Sequence, residues 1–540
     1  MDAIKQLTAE ITARALVKAF PENTGSLPSS AEIKVNYPDE QYGHYAVSAP
    51  LELARMLRKN PLTIAAETAE AIRADAVYGE IFESAEAVKP GYINFRVSGK
   101  YFQSVLREIQ ARTFFTHIPE ENADQKILLE FVSANPTGPL HIGHGRWAVI
   151  GSVLAHVLRR RGFNTECEFY VNDAGNQIEK LIESVNAIRK ELPVPEDGYH
   201  GNYLHALKNT DDEPVDYFLK DHKETLLHMQ TGFDRFFRES ALHSSGAVKK
   251  MLGILINSGA AYTKDGAVWL NSTKYGDDKD RVLVKSDGSY TYFAVDIAYH
   301  HDKISRGYNL LVNVFGADHH GYVHRLNAAV ALLSQGRTRL KLIIGQLVSL
   351  FRNGEPVKMS KRTGEMITLK EVTDEIGSDA LRYFLAARSA NSPLDFDLEL
   401  AKKQSMDNPV YYIQYAYARI CSVRNKASEL FPSKAAENFP LDENEFLYET
   451  IRSPSADSLC AKMLRYPEEL DDICRTMEIH HLPAFLYIFA GVFHKMYNET
   501  KFVHEQSYTI TVHYLMFLDC VQHILSDGLA LLGIHAPEKM

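Results

Sequence analysis

Apolar residues recur with two different spacings in the first part of the chain. They follow a helical spacing near residues 3–20 and 47–59, and they alternate with polar residues in Glu32–Tyr37 and Tyr92–Val97. Helical spacing predicts helices with one buried face, and alternation predicts strands of a half-buried sheet. Residues 1–112 are therefore expected to form a small α+β unit.

The pattern changes at Gln125–Val132, an apolar run that predicts a buried strand. From here to about residue 350, apolar runs alternate with helical segments, as in a doubly wound parallel sheet that binds ligands at the carboxyl ends of its strands. Residues 180–280 are more polar and irregular, and we expect them to form an insertion between the two halves of this sheet. After Asp379 the spacing is helical, as in Ser507–Leu532.

A chain of 540 residues is too long for one hydrophobic core, so several domains are expected. The predicted fold class is multidomain α/β: a Rossmann-type, doubly wound parallel-sheet domain with an N-terminal α+β domain and a C-terminal all-helical domain. The expected units are residues 1–112, residues 125–375 with the insertion at about 180–280, a connecting region at 376–404, and the helical domain at 405–540.

Composition adds constraints on location. The 45% hydrophobic and 24% charged residues are typical of a globular enzyme. No run of about 18 uncharged apolar residues occurs and the N-terminus lacks an apolar core, so neither a membrane span nor secretion is expected. The five cysteines are widely spaced without a Cys-x-x-Cys pair, which argues against a zinc knuckle and favours a reducing, cytoplasmic location.

The net charge of −10 does not indicate a nucleic-acid binder. Local basic patches can nevertheless hold RNA while the rest of the surface stays acidic. Arg159–Arg161 and Lys402–Lys403 are two candidates, and each could equally be a solvated helix face.

The most informative segment is Glu130–Arg146, where an apolar strand leads through a Pro/Gly-rich turn with two histidines into a helix. Such a turn directs backbone N–H groups and the positive end of a helix at phosphate, and Gly143 and Gly145 allow close approach. His141 and His144 can donate to oxygens whose charge grows during nucleotidyl transfer. The alternative, a metal-binding pair, lacks a third ligand nearby, so no metal site is expected.

A second segment, Gly354–Gly364, combines Lys358, Lys361 and Arg362 with flanking glycines. Two ammonium groups three residues apart can grip different phosphates of one nucleotide. One His-x-Gly-His match alone is weak evidence. Together and in this order, however, the two segments resemble the signatures of class I aminoacyl-tRNA synthetases.

Further sequence motifs narrow the resemblance to arginyl-tRNA synthetases and extend it over essentially the whole chain. These motifs are Ser133–His144, Tyr170–Gln177, Gly316–Tyr322, Asp379–Arg382, Asn408–Tyr415 and Leu531–Met540. Some members of that family lack the second loop lysine and carry a compensating lysine at the position of Thr137. This chain has the second loop lysine, Lys361, and has threonine rather than a compensating lysine at position 137.

The resemblance implies a reaction and its ligands. L-arginine would be activated by ATP with Mg²⁺ to arginyl-adenylate, and then transferred to the 3′-terminal adenosine of tRNA(Arg), releasing AMP and pyrophosphate. The catalytic residues would be His141, His144, Lys358 and Lys361. The ATP-binding residues would be Gly143, Gly316, Asp318, His320, Met359 and Ser360.

A guanidinium group needs carboxylates within bidentate reach. Glu239, Tyr292 and Asp296 match the family's guanidinium-binding positions, and the last two are four apart, as on one helix face. The alternative is that Tyr292 and Asp296 simply lie on a helix surface without a binding role. The α-amino group of arginine would be received by Glu130 and Asn135, with Ser133 in the same site.

The family also implies contacts to tRNA. Tyr92 and Asn94 would stack on and hydrogen-bond to a D-loop base. The alternative is that Tyr92 and Phe95 are simply strand core. Tyr412 and Arg419 lie in an aromatic, polar helix that resembles an anticodon-binding surface, although the sequence does not tell which face meets RNA. No interface signal stands out, so a cytoplasmic monomer without membrane contact is expected.

Two rival interpretations remain. The chain could form an adenylate on a different substrate, but its guanidinium-binding carboxylates and its C-terminal helical domain argue against this. It could also be a non-catalytic RNA-binding paralogue that keeps the fold. Such paralogues commonly lose a phosphate ligand, whereas His141, His144, Lys358 and Lys361 are all present.

Overall fold

The N-terminal unit is a four-stranded antiparallel sheet, in the order β1-β2-β4-β3, covered by helices. The structure is a computed structural model that describes residues 4–114, 118–357, 367–436 and 446–540, and leaves the side chains of 318–320 and 436 undescribed. The elements of this unit are α1 Ile4–Ala19, β1 Val35–Asn36, β2 Tyr45–Val47, α2 Ala49–Leu57, α3 Pro61–Arg73, α4 Tyr78–Ile81, β3 Phe82–Val88, β4 Tyr92–Val97 and α5 Gly99–Gln110.

The alternating segment Glu32–Tyr37 forms a shorter strand than the pattern suggests. Only Val35–Asn36 pairs, with β2. The preceding residues make a 3₁₀ turn because the Ser29 and Glu32 side chains cap each other's backbone. The two predicted helices and the strand Tyr92–Val97 are present as α1, α2 and β4.

Five parallel strands form the central sheet, in the order β12-β11-β5-β6-β7. The predicted Rossmann-type parallel sheet is thereby confirmed. Its strands and surrounding elements are α6 Glu120–Ala123, β5 Lys126–Glu130, α7 Ile142–Arg160, β6 Asn164–Val171, α8 Asn176–Arg189, α9 Pro214–His228, β7 Arg235–Arg238, α10 Glu239–Ser244, α11 Ala247–Asn257, β8 Ala261–Lys264, β9 Ala267–Leu270, β10 Arg281–Val284, α12 Tyr292–Ser305, β11 Leu310–Gly316, α13 Val323–Ser334 and β12 Arg339–Gly345.

The segment 180–280 is not one continuous insertion, which corrects the expectation from sequence. Strand β7 lies in the middle of it and pairs in parallel with β6, Glu168 opposite Arg235. Helices α8 and α9 precede β7, and α10, α11 and a small antiparallel sheet in the order β10-β9-β8 follow it. The sequence hides β7 because Arg-Phe-Phe-Arg is a short edge strand with charged ends and no apolar run.

A second small sheet and several helices complete the chain. The sheet has the order β14-β13-β15. The elements are β13 Val348–Arg352, β14 Glu355–Pro356, α14 Leu369–Ile376, α15 Ser378–Ala386, β15 Leu394–Asp397, α16 Leu398–Lys402, α17 Pro409–Leu430, α18 Pro432–Ala436, α19 Pro454–Thr476, α20 His481–Glu499 and α21 Tyr508–Leu532. Among the described residues, α21 alone is long and apolar enough to cross a membrane, but 67% of its most apolar window is buried inside the protein, as in a core helix.

Helix α7 is buried on nearly every side and joins the parallel sheet to the C-terminal helices. Along three successive turns, Ser152 accepts from Arg382 (2.9 Å), His156 Nδ1 donates to the carbonyl of Leu531 (3.0 Å), and Arg160 pairs with Asp527. Arg382 itself is fully buried and donates to the carbonyl of Leu532 at the end of α21 (2.6 Å). The second half of α7 is therefore held by contacts to residues that are far away in the sequence.

Candidate active site

The two signature histidines cap the beginning of α7. The backbone N–H of Gly143 donates to His141 Nδ1 (3.1 Å), and the backbone N–H of His141 donates to His144 Nδ1 (3.2 Å). The rings stack with centroids 3.7 Å apart. Because both Nδ1 atoms accept, both rings carry their hydrogen on Nε2, the tautomer that can donate to a phosphate oxygen.

The two glycines of the turn have different reasons to be glycine. A Cβ on Gly143 would lie 3.0 Å from His141 Cε1, so a side chain there would press on the capping ring. A Cβ on Gly145 would lie 2.5 Å from Leu369 Cδ1. Gly145 therefore serves the packing of α7 against α14, whereas the sequence suggested that it gives close approach to phosphate.

Next to this turn, the carboxyl ends of the parallel strands gather acidic side chains. Glu130 ends β5 and is 4% exposed, while Glu239 follows β7 and is 9% exposed. Asp296 lies on α12 and accepts from the Tyr322 hydroxyl. Ser133 donates to Glu130 Oε1 (3.0 Å), and Tyr170 donates to Glu239 Oε2 (2.8 Å).

Burial dominates the electrostatics of this acidic pocket. It raises the pKa of Asp296 to about 7, against the Tyr322 hydrogen bond and Lys303, which lower it, while the charges of Glu130 and Glu239 raise it further. A carboxyl near its midpoint at neutral pH becomes fully ionised when a cation binds beside it. With Glu130 and Glu239 nearby, the pocket is suited to a cationic ligand.

Comparison with known proteins agrees with this chemistry. Family models described as "Arginyl tRNA synthetase N terminal domain", "tRNA synthetases class I (R), catalytic domain" and "DALR anticodon binding domain" match residues 4–97, residues 110–236 with 200–391, and residues 413–540. The arginine–tRNA ligase of Staphylococcus aureus (strain MRSA252) is 38% identical, covering 100% of both chains.

The chain belongs to the arginyl-tRNA synthetase family. The arginine–tRNA ligase of Shouchella clausii is also 38% identical, covering 99% of each chain. Among solved structures, the arginyl-tRNA synthetase of Thermus thermophilus has a TM-score of 0.76 at 21% identity and covers 97% of this chain and 99% of its own. That of Plasmodium falciparum has a TM-score of 0.76 at 18% identity with full coverage of both chains. The two structures show that the fold is shared.

Some predicted ligands of this synthetase lie outside the described residues. Lys358, Met359, Ser360 and Lys361 fall in the undescribed stretch 358–366, so their roles stay predictions. Gly316 ends β11 opposite Gly345 of β12, at the carboxyl edge where the sequence placed it. The following residues 317–322 form a 3₁₀ helix, in which the side chains of Asp318 and His320 are undescribed.

The structure brings Glu130, Ser133, Glu239 and Asp296 together, but it places two other predicted arginine ligands differently. Tyr292 begins α12 and is 81% exposed, so its position four residues before Asp296 does not bury it with that carboxylate. Asn135 is exposed and donates to Gln177 Oε1 (2.7 Å).

The proposed tRNA contacts occupy two separate surfaces. On β4, which lies between β2 and β3, Tyr92 is half-buried and Asn94 is buried, with 7% of it exposed. In the helical domain, Tyr412 packs 5.0 Å from Tyr487, ring centre to ring centre. The Arg419 guanidinium lies 4.5 Å from the ring centre of each of two tyrosines, Tyr415 and Tyr497.

Three residues of the site were not identified from sequence: Tyr170, Tyr322 and Lys303. The two tyrosines lie within the sequence motifs that this family shares, and a search for ring hydroxyls near the predicted carboxylates would have found them. Lys303 lies seven residues after Asp296, which puts both on one face of α12. A lysine on a helix ordinarily indicates a solvated surface, and the burial of Lys303 emerges only from its contacts to β5 and β11.

Proposed function

We propose a division of roles within the site for the reaction of this family, the ATP-dependent attachment of L-arginine to tRNA(Arg). Arginine and tRNA are the substrates, and ATP supplies the energy. The observation that carries the assignment is the group formed by the buried Glu130 and Glu239 with the half-buried Asp296, beside the histidine turn. A pocket with three carboxylates fits the guanidinium and α-ammonium groups of arginine.

In this assignment Asp296 and Glu239 bind the guanidinium group, with Tyr292 at the exposed start of α12. Glu130 and Ser133 bind the α-amino group, and Asn135 completes that side. The arginine carboxylate is then directed at the histidine turn. Holding both ends of the substrate in this way supplies the alignment on which such a reaction depends.

His141 and His144 donate from Nε2 to the α-phosphate region as charge develops there. Lys358 and Lys361 hold the β- and γ-phosphates, with Met359 and Ser360 between them. Gly143, Gly316, Asp318 and His320 line the nucleotide, and the Asp318 carboxylate accepts from the ribose hydroxyls. The arginine carboxylate attacks the α-phosphate, pyrophosphate leaves, and the arginyl group passes to the 2′-hydroxyl of the terminal adenosine, as class I membership suggests.

We propose that Mg²⁺ enters with ATP. Magnesium is commonly held by substrate phosphates and one or two carboxylates rather than by an all-protein cage. In the part of the chain that the structure describes, no group of three or more His, Cys, Asp or Glu side chains could hold a metal ion. Bound there, Mg²⁺ would neutralise charge on the phosphates.

For tRNA we propose Tyr92 and Asn94 as ligands of the D-loop corner, and Tyr412 and Arg419 as part of the anticodon-binding face. The side chain of Tyr487, which packs on Tyr412, is 45% exposed, and this exposed ring supports a face that stacks on bases. We further propose that the enzyme works as a cytoplasmic monomer.

Charging of a mixed tRNA pool tests the function. The protein should attach radiolabelled arginine, and no other amino acid, in a reaction that needs ATP and Mg²⁺. Charging with a different amino acid would favour the first rival, an adenylate-forming enzyme of other specificity. Tight binding of tRNA without any adenylate formation would favour a non-catalytic paralogue.

A further inference from the structure

Beneath the acidic pocket lies a lysine that is completely buried. Lys303 is 0% exposed, and its Nζ lies 2.5 Å from Glu130 Oε2 and 3.3 Å from Asn313 Oδ1. Nζ also lies 4.2 Å from the ring centre of Tyr299. An ammonium group has three N–H donors, and these are three acceptors: a carboxylate, an amide oxygen and an aromatic face.

The partners of Lys303 are themselves oriented. Asn313 Nδ2 donates to His300 Nε2 (3.1 Å), so His300 carries its hydrogen on Nδ1 and donates it to the carbonyl of Asp296 (2.8 Å). Burial lowers the pKa of His300 well below its usual value, which keeps the ring neutral. The amide oxygen of Asn313 consequently faces Lys303 rather than the imidazole.

Both oxygens of Glu130 have a partner within the protein. Oε2 accepts from Lys303, and Oε1 accepts from Ser133, whose own oxygen accepts from the backbone N–H of Tyr170 (3.1 Å). These contacts fix the carboxylate in position and in rotation. A carboxylate oxygen has more than one acceptor direction, so a substrate ammonium can still bind.

We propose that Lys303 is a positioning residue for the substrate's α-amino group, acting through Glu130. This inference rests on the proposed assignment of Glu130 to that group. Without the lysine, the buried carboxylate of Glu130 would lose the partner of its Oε2 and would be free to turn away from the substrate. With the lysine, Glu130 is held in one orientation, and the arginine carboxylate is aimed at the α-phosphate.

The charges of the pocket fit this role. Three carboxylates and one lysine leave an excess of up to two negative charges, and arginine brings two positive groups. Lys303 thus offsets one acidic group without occupying the space of the ligand, because it contacts Glu130 from the side of the sheet core, where Asn313 is 0% exposed. Substrate and lysine share one carboxylate from opposite sides.

A ligand without the α-amino group provides the decisive measurement. Affinities of arginine and of 5-guanidinopentanoate, which is arginine lacking that group, are compared by calorimetry on the full chain. The wild type should bind arginine at least about tenfold more tightly, as expected for a hydrogen bond between charged groups. Lys303→Met should reduce that preference to less than about threefold, and kcat for charging should fall about 100-fold because the carboxylate is misaligned.

Lys126→Met is a matched control, since Lys126 also lies over a tyrosine ring, Tyr308, at the opposite end of β5. It should keep the wild-type preference. If Lys303→Met weakened the binding of arginine and of 5-guanidinopentanoate equally, the damage to the pocket would be general and the inference would be overturned. A wild type without any preference would remove the assignment of Glu130 and the inference with it, whereas a preference that survives in Lys303→Met would overturn the inference alone.

A double variant covers the case in which Lys303→Met does not fold. Glu130→Gln with Lys303→Met replaces the buried ion pair by neutral groups, a change that proteins tolerate better than loss of one partner. If Lys303 acts through Glu130, the double variant and Glu130→Gln should show the same ligand preference and the same kcat. A further loss of tenfold or more in the double variant would show a separate role for Lys303.

Discussion

Arginine affinity should depend on pH through Asp296. Burial raises the pKa of this carboxyl to about 7 in the free protein, and a guanidinium group is bound by the ionised form. The sign follows directly: a raised pKa means protonation as the pH falls through 7, so arginine should bind more weakly in acid. If only the carboxylate binds, the dissociation constant is multiplied by about 11 at pH 6, about 2 at pH 7 and about 1.1 at pH 8.

Calorimetry at pH 6, 7 and 8 measures the dissociation constant of arginine directly. Repeating the titration in buffers of different ionisation enthalpy counts the protons released on binding, which should be about 0.9 at pH 6 and about 0.1 at pH 8. Asp296→Asn should remove the pH dependence of arginine binding. Glu239→Gln should move that pH dependence to lower pH, because the charge of Glu239 raises the pKa of Asp296.

A histidine also contacts the pocket: His243 Nε2 lies 3.4 Å from Glu239 Oε1. The control variant His243→Gln removes this neighbour of Glu239 and should keep most of the pH dependence, because Asp296 is unchanged. An arginine dissociation constant that stays within twofold from pH 6 to pH 8, with no proton released, would refute the reasoning about Asp296.

Three further predictions concern catalysis. Asp296→Asn should lower kcat/KM for arginine by about 30- to 1000-fold, equivalent to about 2–4 kcal/mol, with little change in the KM for ATP. The kcat/KM for citrulline, a neutral isostere, should fall less. Unchanged arginine kinetics would show that the guanidinium pocket lies elsewhere. Lys361→Ala should lower single-turnover adenylate formation about 100-fold with a nearly unchanged melting temperature, although Arg362 can substitute in part; near-normal adenylate formation would show that this loop is not the phosphate clamp. Arginine-dependent pyrophosphate exchange should require tRNA, since closing the loop and settling the helical domain are expected to occur together; robust exchange without tRNA would contradict this.

The sequence predicted the parallel sheet and the histidine turn because both depend on local signals. The change from an apolar run to a Pro/Gly-rich turn and then to helical spacing marks β5 and α7 without any tertiary information. Strand β7 was missed because a four-residue edge strand with an arginine at each end has no such signal. Local pattern is informative where an element is buried and long.

The acidic pocket was predicted only in part, for a different reason. Asp296 and Glu239 were recognised through sequence motifs of the family, whereas Lys303 is paired with a residue 173 positions earlier in the chain. Helical spacing places Lys303 on the same face as Asp296, but it does not show that this face is buried against a strand. Burial of a charge arises from tertiary packing, and a single sequence does not encode it locally.

The embedding of α7 has a consequence for how the enzyme is made. During synthesis on the ribosome, the histidine turn emerges early, but the helix behind it makes polar contacts at Ser152, His156 and Arg160 to α15 and α21, which emerge far later. Domains generally fold as the chain appears, yet α7 lacks these partners until α21 has been made. The packing of α7, the helix that the histidine turn begins, is therefore completed only after the last helix of the chain has been made.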